Sequence, residues 1–113
     1  MTPRLASVRT PLSPLELERF LRRLAEERQN KIEQLGAKDD MLAGADPVVV
    51  VALEARARET IIEIDRALAR LEAGTYGSCE RCERTIPLAR LETIAYARWC
   101  FRCQDERETS LRW

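Results

Sequence analysis

The sequence predicts an all-α protein: an antiparallel helical hairpin of the coiled-coil type, followed by a small four-Cys zinc finger and a C-terminal helix. Three observations predict this fold. Charged residues make up 34% of the 113 residues and aromatic residues only 5%, which is typical of long helices rather than of a compact β or α/β core. Two segments repeat apolar residues at helical spacing. The four cysteines occur as two C-x2-C pairs.

The first helix is predicted to begin at Pro14 and to end at Gly36. Ser13 and Glu16 have the spacing of a capping box, and proline is favoured at the first helical position. Glycine is favoured just beyond the end of a helix. The predicted apolar face of this helix consists of Leu17, Phe20, Leu21, Leu24, Ile32 and Leu35.

The second helix is predicted to follow a turn, with Asp46 as its N-cap and Pro47 at its first position. Gly74 is predicted to end it. Between these points apolar residues recur at alternating spacings of four and three, which indicates a seam that packs on a partner helix. The positions of this seam are Val50, Glu54, Ala57, Ile61, Ile64, Leu68 and Leu71.

The two helices are predicted to form a hairpin with an acidic tip near residues 37–47. A connection this short favours the antiparallel neighbour, although pairing of each helix with another chain is the alternative. The chain then divides into a flexible N-terminal tail (1–13), the hairpin (14–74) and the zinc finger with its C-terminal helix (75–113). The apolar run 48–51 has a β-propensity that conflicts with a helix, and we expect it to be buried within the hairpin.

The cysteines Cys79, Cys82, Cys100 and Cys103 form two pairs separated by the seventeen residues 83–99. This spacing predicts a site for one structural zinc ion, bound by four thiolates with no open position for water. Nearby arginines are expected to offset the negative charge of such a centre; they are Arg81, Arg84, Arg98 and Arg102. The alternatives are a C-x2-C redox couple or intramolecular disulfides.

Between and beyond the two cysteine pairs the sequence is less regular. Residues 88–97 are compatible with a short helix or an irregular return, and residues 104–113 with the C-terminal helix. Trp99 and Trp113 are expected to pack against the finger and the chain end.

Composition excludes several classes of function. The chain contains no histidine, which excludes histidine-based catalysis and histidine metal ligands, and we expect a protein that is not an enzyme. Basic and acidic residues are equal in number, which argues against nucleic-acid binding by phosphate neutralisation and against sequence-specific DNA recognition. No apolar stretch is long enough for a membrane span and no signal peptide is evident, so we expect a cytoplasmic protein in which cysteines serve as metal ligands or redox thiols.

The motifs of the second half resemble those of the DksA/TraR family of zinc-finger transcription regulators. The residues that carry the resemblance are Leu68-Ala-Arg-Leu-Glu-Ala-Gly-Thr-Tyr-Gly-Ser-Cys-Glu-Arg-Cys82, Ile86, Arg90-Leu91-Glu92 and Trp99-Cys-Phe-Arg-Cys-Gln104. They cover about a third of the chain. The resemblance implies a monomeric protein that inserts a coiled-coil hairpin into the secondary channel of bacterial RNA polymerase and alters promoter-complex stability without contacting specific DNA.

The hairpin tip departs from the family pattern. The resemblance places acidic residues there, in an Asp-x-x-Asp-x-Ala pattern that acts near the polymerase active centre. Counting from Asp46, the second acidic position is Val49 and the alanine position is Val51. Counting from Asp40, the second acidic position is Ala43 and the alanine position is Ala45. Asp39, Asp40 and Asp46 are therefore candidate partner-binding residues, with solvated turn residues and a helix cap as the alternative.

Two further departures concern guanosine tetraphosphate, which some family members bind jointly with the polymerase. Thr93-Ile94-Ala95 stands where the family often has Ala-Arg-Pro, and Gln104 replaces a frequent lysine. We therefore predict no strong response to this nucleotide.

Two other functions remain open from the sequence. The same scaffold could be redirected to another partner, such as a ribosome or a sigma-type factor, because the tip has lost its usual signature. Alternatively, the four cysteines could form a zinc-thiolate redox sensor that releases its metal on oxidation.

Overall fold

Four helices make up the regular structure of the residues that are described. A computed structural model describes residues 10–36 and 44–111. In these ranges the helices are α1 (Pro14–Gly36), α2 (Pro47–Ala73), α3 (Leu88–Thr93) and α4 (Phe101–Leu111). The only extended pairing within the described residues is an isolated antiparallel bridge between Ser78 and Thr85. The predicted all-α class is confirmed.

Helix α1 begins with the predicted capping box. The Ser13 backbone N–H donates to Glu16 Oε1 at 2.9 Å, and the Glu16 N–H donates to Ser13 Oγ at 3.1 Å. These two bonds satisfy donors that the helix itself leaves free. The helix runs from Pro14 to Gly36, as the sequence predicts.

Helix α2 also has the bounds that its caps predict. Asp46 accepts a hydrogen bond from the Val48 N–H on Oδ1 at 2.8 Å, and Pro47 occupies the first turn. At the other end Gly74 adopts a left-handed conformation with φ of 80°, which a residue with a Cβ adopts only at a cost of about 1 kcal/mol. Its N–H donates to the carbonyl oxygens of Arg70 and Leu71.

Helices α1 and α2 pack along each other as an antiparallel hairpin within one chain. Every predicted seam position of α2 is at least partly buried, from Val50 near the tip to Leu71 at the base. On α1 the buried side chains are Phe20 and Leu24. Leu21 and Ile32, which the sequence placed on the same face, are exposed, because the contact stripe between two helices is narrower than the apolar pattern.

The hydrophobic core lies at the base of the hairpin, where α1 and α2 meet the finger. Its buried members are Phe20, Leu24, Ile64, Ala67, Tyr76, Cys79, Ile86, Leu91, Ala95, Ala97, Cys100 and Cys103. The Phe20 and Tyr76 rings meet with centroids 5.7 Å apart and a tilt of 44°, a favourable aromatic arrangement. Hairpin and finger therefore share one core.

The prediction that residues 48–51 are buried within the hairpin is wrong. Val48, Val49 and Val51 are 75%, 50% and 66% exposed, and only Val50, a seam position, is partly buried. Successive residues of a helix point about 100° apart, so four consecutive valines cannot all face one partner helix. The helical register overrides their β-propensity.

Residues 10–12 lie against the finger. A Cβ added at Gly77 would approach side-chain atoms of Thr10, Pro11 and Leu12 to 3.5 Å, and Leu12 packs against the core. These residues fall within the predicted tail, whose residues 1–9 lie outside the described part of the chain.

Candidate metal centre

The four cysteines, far apart in sequence, come together beside the base of the hairpin. Their Sγ atoms all lie within 4.8 Å of one another, and this is the only group of potential metal ligands of this kind among the described residues. Cys79, Cys100 and Cys103 are buried, whereas Cys82 is exposed. The core thus encloses one side of the cluster.

The first pair is presented by a tight turn between Ser78 and Thr85. The Cys79 N–H donates to the Arg84 carbonyl oxygen and its own carbonyl oxygen accepts from the Glu83 N–H, both at 2.8 Å. Glu83 has a φ of 64°, a left-handed conformation that reverses the chain. The turn directs both thiols of the pair toward one centre.

The second pair is presented by the start of α4. The Gln104 N–H donates to the Cys100 carbonyl oxygen at 3.0 Å, so Cys103 lies in the first helical turn. The C-terminal helix therefore begins at Phe101, three residues before the predicted stretch. The Glu80 N–H donates to the Arg98 carbonyl oxygen at 2.8 Å and joins the two cysteine pairs directly.

The geometry of the four sulfurs fits a zinc ion. With a Zn–S bond of about 2.3 Å, neighbouring sulfurs of a tetrahedral site lie about 3.8 Å apart. The Sγ atoms of Cys82 and Cys100 are 3.8 Å apart, and no pair of the four exceeds 4.8 Å. Four thiolates complete the coordination of zinc, so this arrangement suits a structural ion rather than a catalytic one.

The pKa values of two thiols of the cluster shift in opposite directions, and only that of Cys79 favours a thiolate. Burial acts to raise the pKa of Cys79, but hydrogen bonds from the backbone of Cys82, Cys100 and Arg81 outweigh it and bring that pKa to about 6. Burial raises the pKa of Cys103 to about 12, and hydrogen bonding to the other thiols adds to the effect. Backbone N–H groups directed at one sulfur are what a thiolate ligand requires.

The arginines expected to surround the cluster bind mainly to carboxylates and carbonyl groups. Arg81 donates to the Cys103 carbonyl oxygen at 3.3 Å and lies 3.4 Å from Glu106. Arg102 pairs with the same carboxylate at 3.3 Å, whereas Arg98 stacks on the Trp99 ring at 4.7 Å. Trp99 is partly buried against the core, and Trp113 lies outside the described residues.

Sequence reasoning missed Arg70, which joins the hairpin to the finger. It is 8% exposed, and its Nη2 donates to the carbonyl oxygens of Ala97 at 3.3 Å and Tyr96 at 3.4 Å. Burial lowers the pKa of Arg70, while the Glu80 carboxylate, 3.7 Å from Nη1, acts against that shift. Helical spacing could have indicated this burial, because Arg70 lies three residues after Ala67 and therefore on the same face of α2.

Asp46, the candidate tip residue that the structure describes, lies at the opposite end of α2 from the metal centre. Asp46 is exposed and caps α2 through its Oδ1. Asp39 and Asp40 lie outside the described residues. The structure thus gives Asp46 the capping role that the sequence held as the alternative.

No described helix combines the length and the apolar character needed to cross a membrane.

Comparison with known proteins identifies the finger. Residues 74–108 match the model of the prokaryotic dksA/traR C4-type zinc finger. Within this match lie all four clustered cysteines, so the cluster is that of a C4 finger, which holds one zinc ion.

Similarity to known proteins extends beyond the finger. An uncharacterized protein of Aquifex aeolicus is 36% identical over 99 residues, which cover 83% of this chain and 63% of that protein. The RNA polymerase-binding transcription factor DksA of Caulobacter vibrioides is 43% identical over 53 residues, 47% of this chain and 37% of that protein. The chain thus spans less than two thirds of the length of either relative.

A solved structure shares the fold of most of the chain. The RNA polymerase binding protein and transcriptional regulator Dks from Chlamydia trachomatis has a TM-score of 0.64 and 28% identity, with 89% of this chain and 96% of that chain covered. The aligned part of this chain is long enough to include most of the hairpin and the finger. The chain therefore carries the C4-type zinc finger of the DksA/TraR family on a DksA-like fold.

Proposed function

We propose that this protein regulates transcription by binding bacterial RNA polymerase, with its hairpin inserted in the secondary channel. The observation that carries the proposal is the union of a projecting helical hairpin and a DksA/TraR finger, in a fold similar to that of the Chlamydia RNA polymerase binding protein. Regulators of this family are not enzymes. We expect the protein to act in the cytoplasm as a monomer.

The dimensions of the hairpin suit this role. Helix α2 contains 27 residues, which span about 40 Å at 1.5 Å per residue. The buried core ends near Ile64 and Leu24, so the tip half extends beyond the finger with few buried side chains. A narrow two-helix rod is able to enter a channel that the finger cannot.

In this proposal Cys79, Cys82, Cys100 and Cys103 hold zinc, which supplies folding energy to the finger rather than chemistry. The finger is too small to bury a core of its own, and it shares the core at the hairpin base. Zinc thereby fixes the rigid base from which the hairpin projects. A measured stoichiometry of about one zinc ion per chain, with thiols that are stable in air, would support this structural role over that of a redox sensor.

The tip contributes different chemistry from that of the family pattern. It presents Asp46, exposed but engaged as a cap, beside the exposed Val48 and Val51. Asp39 and Asp40 remain candidate contacts by sequence alone. We expect one carboxylate and an apolar surface to meet the polymerase, and no strong dependence on guanosine tetraphosphate.

The test is binding of the zinc-loaded protein to core RNA polymerase, repeated with a known secondary-channel factor as competitor. Binding that the competitor displaces supports the proposal. Asp46→Asn keeps a good N-cap and removes only the charge, so weaker binding by this variant assigns a role to the carboxylate. Binding that the competitor leaves unchanged, or absence of binding with zinc content verified, contradicts the proposal.

The exposed valines favour one alternative, a partner other than the polymerase channel. Three exposed valines at the tip are suited to an apolar groove on a folded partner. A ribosome or a sigma-type factor is the partner of this second hypothesis. Capture of either by the zinc-loaded protein, lost in Val48→Thr/Val51→Thr, would support it in place of the polymerase.

A further inference from the structure

A cationic and aromatic surface lies where the finger leads into α4. The guanidinium of Arg107 lies 4.5 Å from the Trp99 ring centroid, and that of Arg98 lies 4.7 Å from it. Arg90 lies 4.9 Å from the Phe101 ring and donates from Nε to the Trp99 carbonyl oxygen at 2.9 Å. We call these five residues the arginine–aromatic surface. Stacking holds a guanidinium in place while its N–H edge remains able to bind a carboxylate.

Two of the three positive charges of this surface have no ion pair within the described residues, and the third, on Arg98, has only long ones to Glu63 and Glu80. Among the residues that the structure describes, no carboxylate forms an ion pair with Arg90 or Arg107, and the nearest carboxylates to Arg98 are 3.9 Å away. Arg102, on the same helix, instead lies 3.3 Å from Glu106. Phe101 is 57% exposed, so an apolar ring adjoins the uncompensated charges.

We propose that the arginine–aromatic surface docks a short acidic segment of another protein. Carboxylates of the segment accept hydrogen bonds from the free guanidinium edges of Arg90 and Arg107, and such charge-assisted bonds are stronger than neutral ones. An apolar side chain of the segment packs on Phe101. This surface lies on the finger, and its function does not depend on polymerase binding by the hairpin.

Charge around the surface favours an acidic protein segment over nucleic acid. Helix α4 carries Asp105, Glu106 and Glu108, and the chain has no net charge. These carboxylates repel a continuous chain of phosphates, which needs a continuous track of cations. Discrete carboxylates on a flexible segment can instead reach the uncompensated arginines and avoid the acidic neighbours.

The experiment uses the zinc-loaded full chain with Trp113→Phe, so that Trp99 is the remaining tryptophan. Its fluorescence is followed during titration with a glutamate-rich peptide that contains one phenylalanine, and with the same peptide carrying glutamine in place of glutamate. We expect saturable binding of the first peptide only. Arg107→Ala and Phe101→Ala should each weaken it about tenfold, the effect of losing one good contact.

The control is Arg102→Ala, which removes the same charge from the same helix but from an arginine already paired with Glu106. Its affinity should match that of the parent, and zinc content establishes that every variant is folded. Equal losses in Arg102→Ala and Arg107→Ala would show a non-specific charge effect and overturn the proposal. Absence of saturable binding, or tighter binding of a single-stranded oligothymidylate than of the peptide, would overturn it as well.

Discussion

The two ends of the hairpin differ in how deeply their apolar side chains are buried. At the base, Phe20, Leu24 and Ile64 are fully buried and share a core with the finger. Toward the tip, Val48 and Val51 are more than half exposed, and the helices touch along a single seam. Stability is therefore concentrated at the base.

This difference teaches how one chain separates folding from recognition. Residues at the base are constrained by the core and by the four cysteines, so substitutions there change the free energy of unfolding. Residues on the outer face of the tip contact few neighbours, so substitutions there have little effect on folding and can instead change how a partner is recognised. Changes at the base should therefore have larger effects on stability than changes at the tip.

Removal of zinc should have the largest effect. A chelator, or Cys79→Ser, should unfold the finger, because structural zinc contributes on the order of 10 kcal/mol to small fingers. The side chains of Tyr76 and Ile86, now buried, would become exposed, and the shared core would lose the majority of its buried residues, which the finger supplies. Near-ultraviolet circular dichroism of the aromatic residues and zinc content measure the effect. A finger that keeps its aromatic signal without metal would contradict the assigned role.

Truncation of a side chain at the base should reduce stability far more than truncation of one at the tip. Phe20→Ala removes a ring that packs on Tyr76 and should lower the free energy of unfolding by about 3–5 kcal/mol. Val48→Ala, a matched truncation at the tip, should change it by less than about 0.5 kcal/mol. Urea unfolding of the zinc-loaded variants measures both. Similar losses at the two sites would show that the tip also holds a core.

Local signals in the sequence predicted the helices and the metal cluster well. The capping box at Ser13, the Asp46–Pro47 start and the Gly74 stop each act through neighbouring residues, so chain order is enough to find them. The C-x2-C spacing of the two cysteine pairs is likewise visible in the sequence and was enough to predict the metal site. Exposure of Val48 and the buried position of Arg70 could not be predicted in the same way, because both depend on which face of α2 meets α1 and the finger.

Loss of Arg70 should loosen the joint between hairpin and finger. Arg70→Leu leaves the buried carbonyl oxygens of Tyr96 and Ala97 without their donor and should cost about 1–3 kcal/mol. Arg66→Leu, at an exposed arginine of the same helix that pairs with Glu63, is the control and should change stability far less. Thermal unfolding of the zinc-loaded proteins compares them. Equal behaviour of the two variants would show that the Arg70 contacts do not hold the joint.

The smallest expected effect concerns the phenol of Tyr76 and changes with pH. Its hydroxyl donates to the Ala95 carbonyl oxygen at 2.6 Å, so Tyr76→Phe should cost about 1 kcal/mol at neutral pH. Burial raises the pKa of Tyr76 well above its ordinary value, although the charge of Arg70 acts in the opposite direction. A raised pKa in the folded state means that this stability is present below the unfolded pKa of about 10 and is lost as the pH rises above it.

The wild-type advantage over Tyr76→Phe should therefore hold at neutral pH and shrink above about pH 10, where the unfolded state releases the phenol proton and the folded state retains it. Urea unfolding of both proteins on either side of that pH measures the difference, which cancels alkaline effects common to the two chains. Because Tyr76 lies in the shared core and far from the tip, polymerase binding at neutral pH should not change in this variant. A constant difference across the range would mean that the Tyr76 phenol ionises as easily in the folded protein as in the unfolded chain, and that the base of the hairpin is more open to water than its packing indicates.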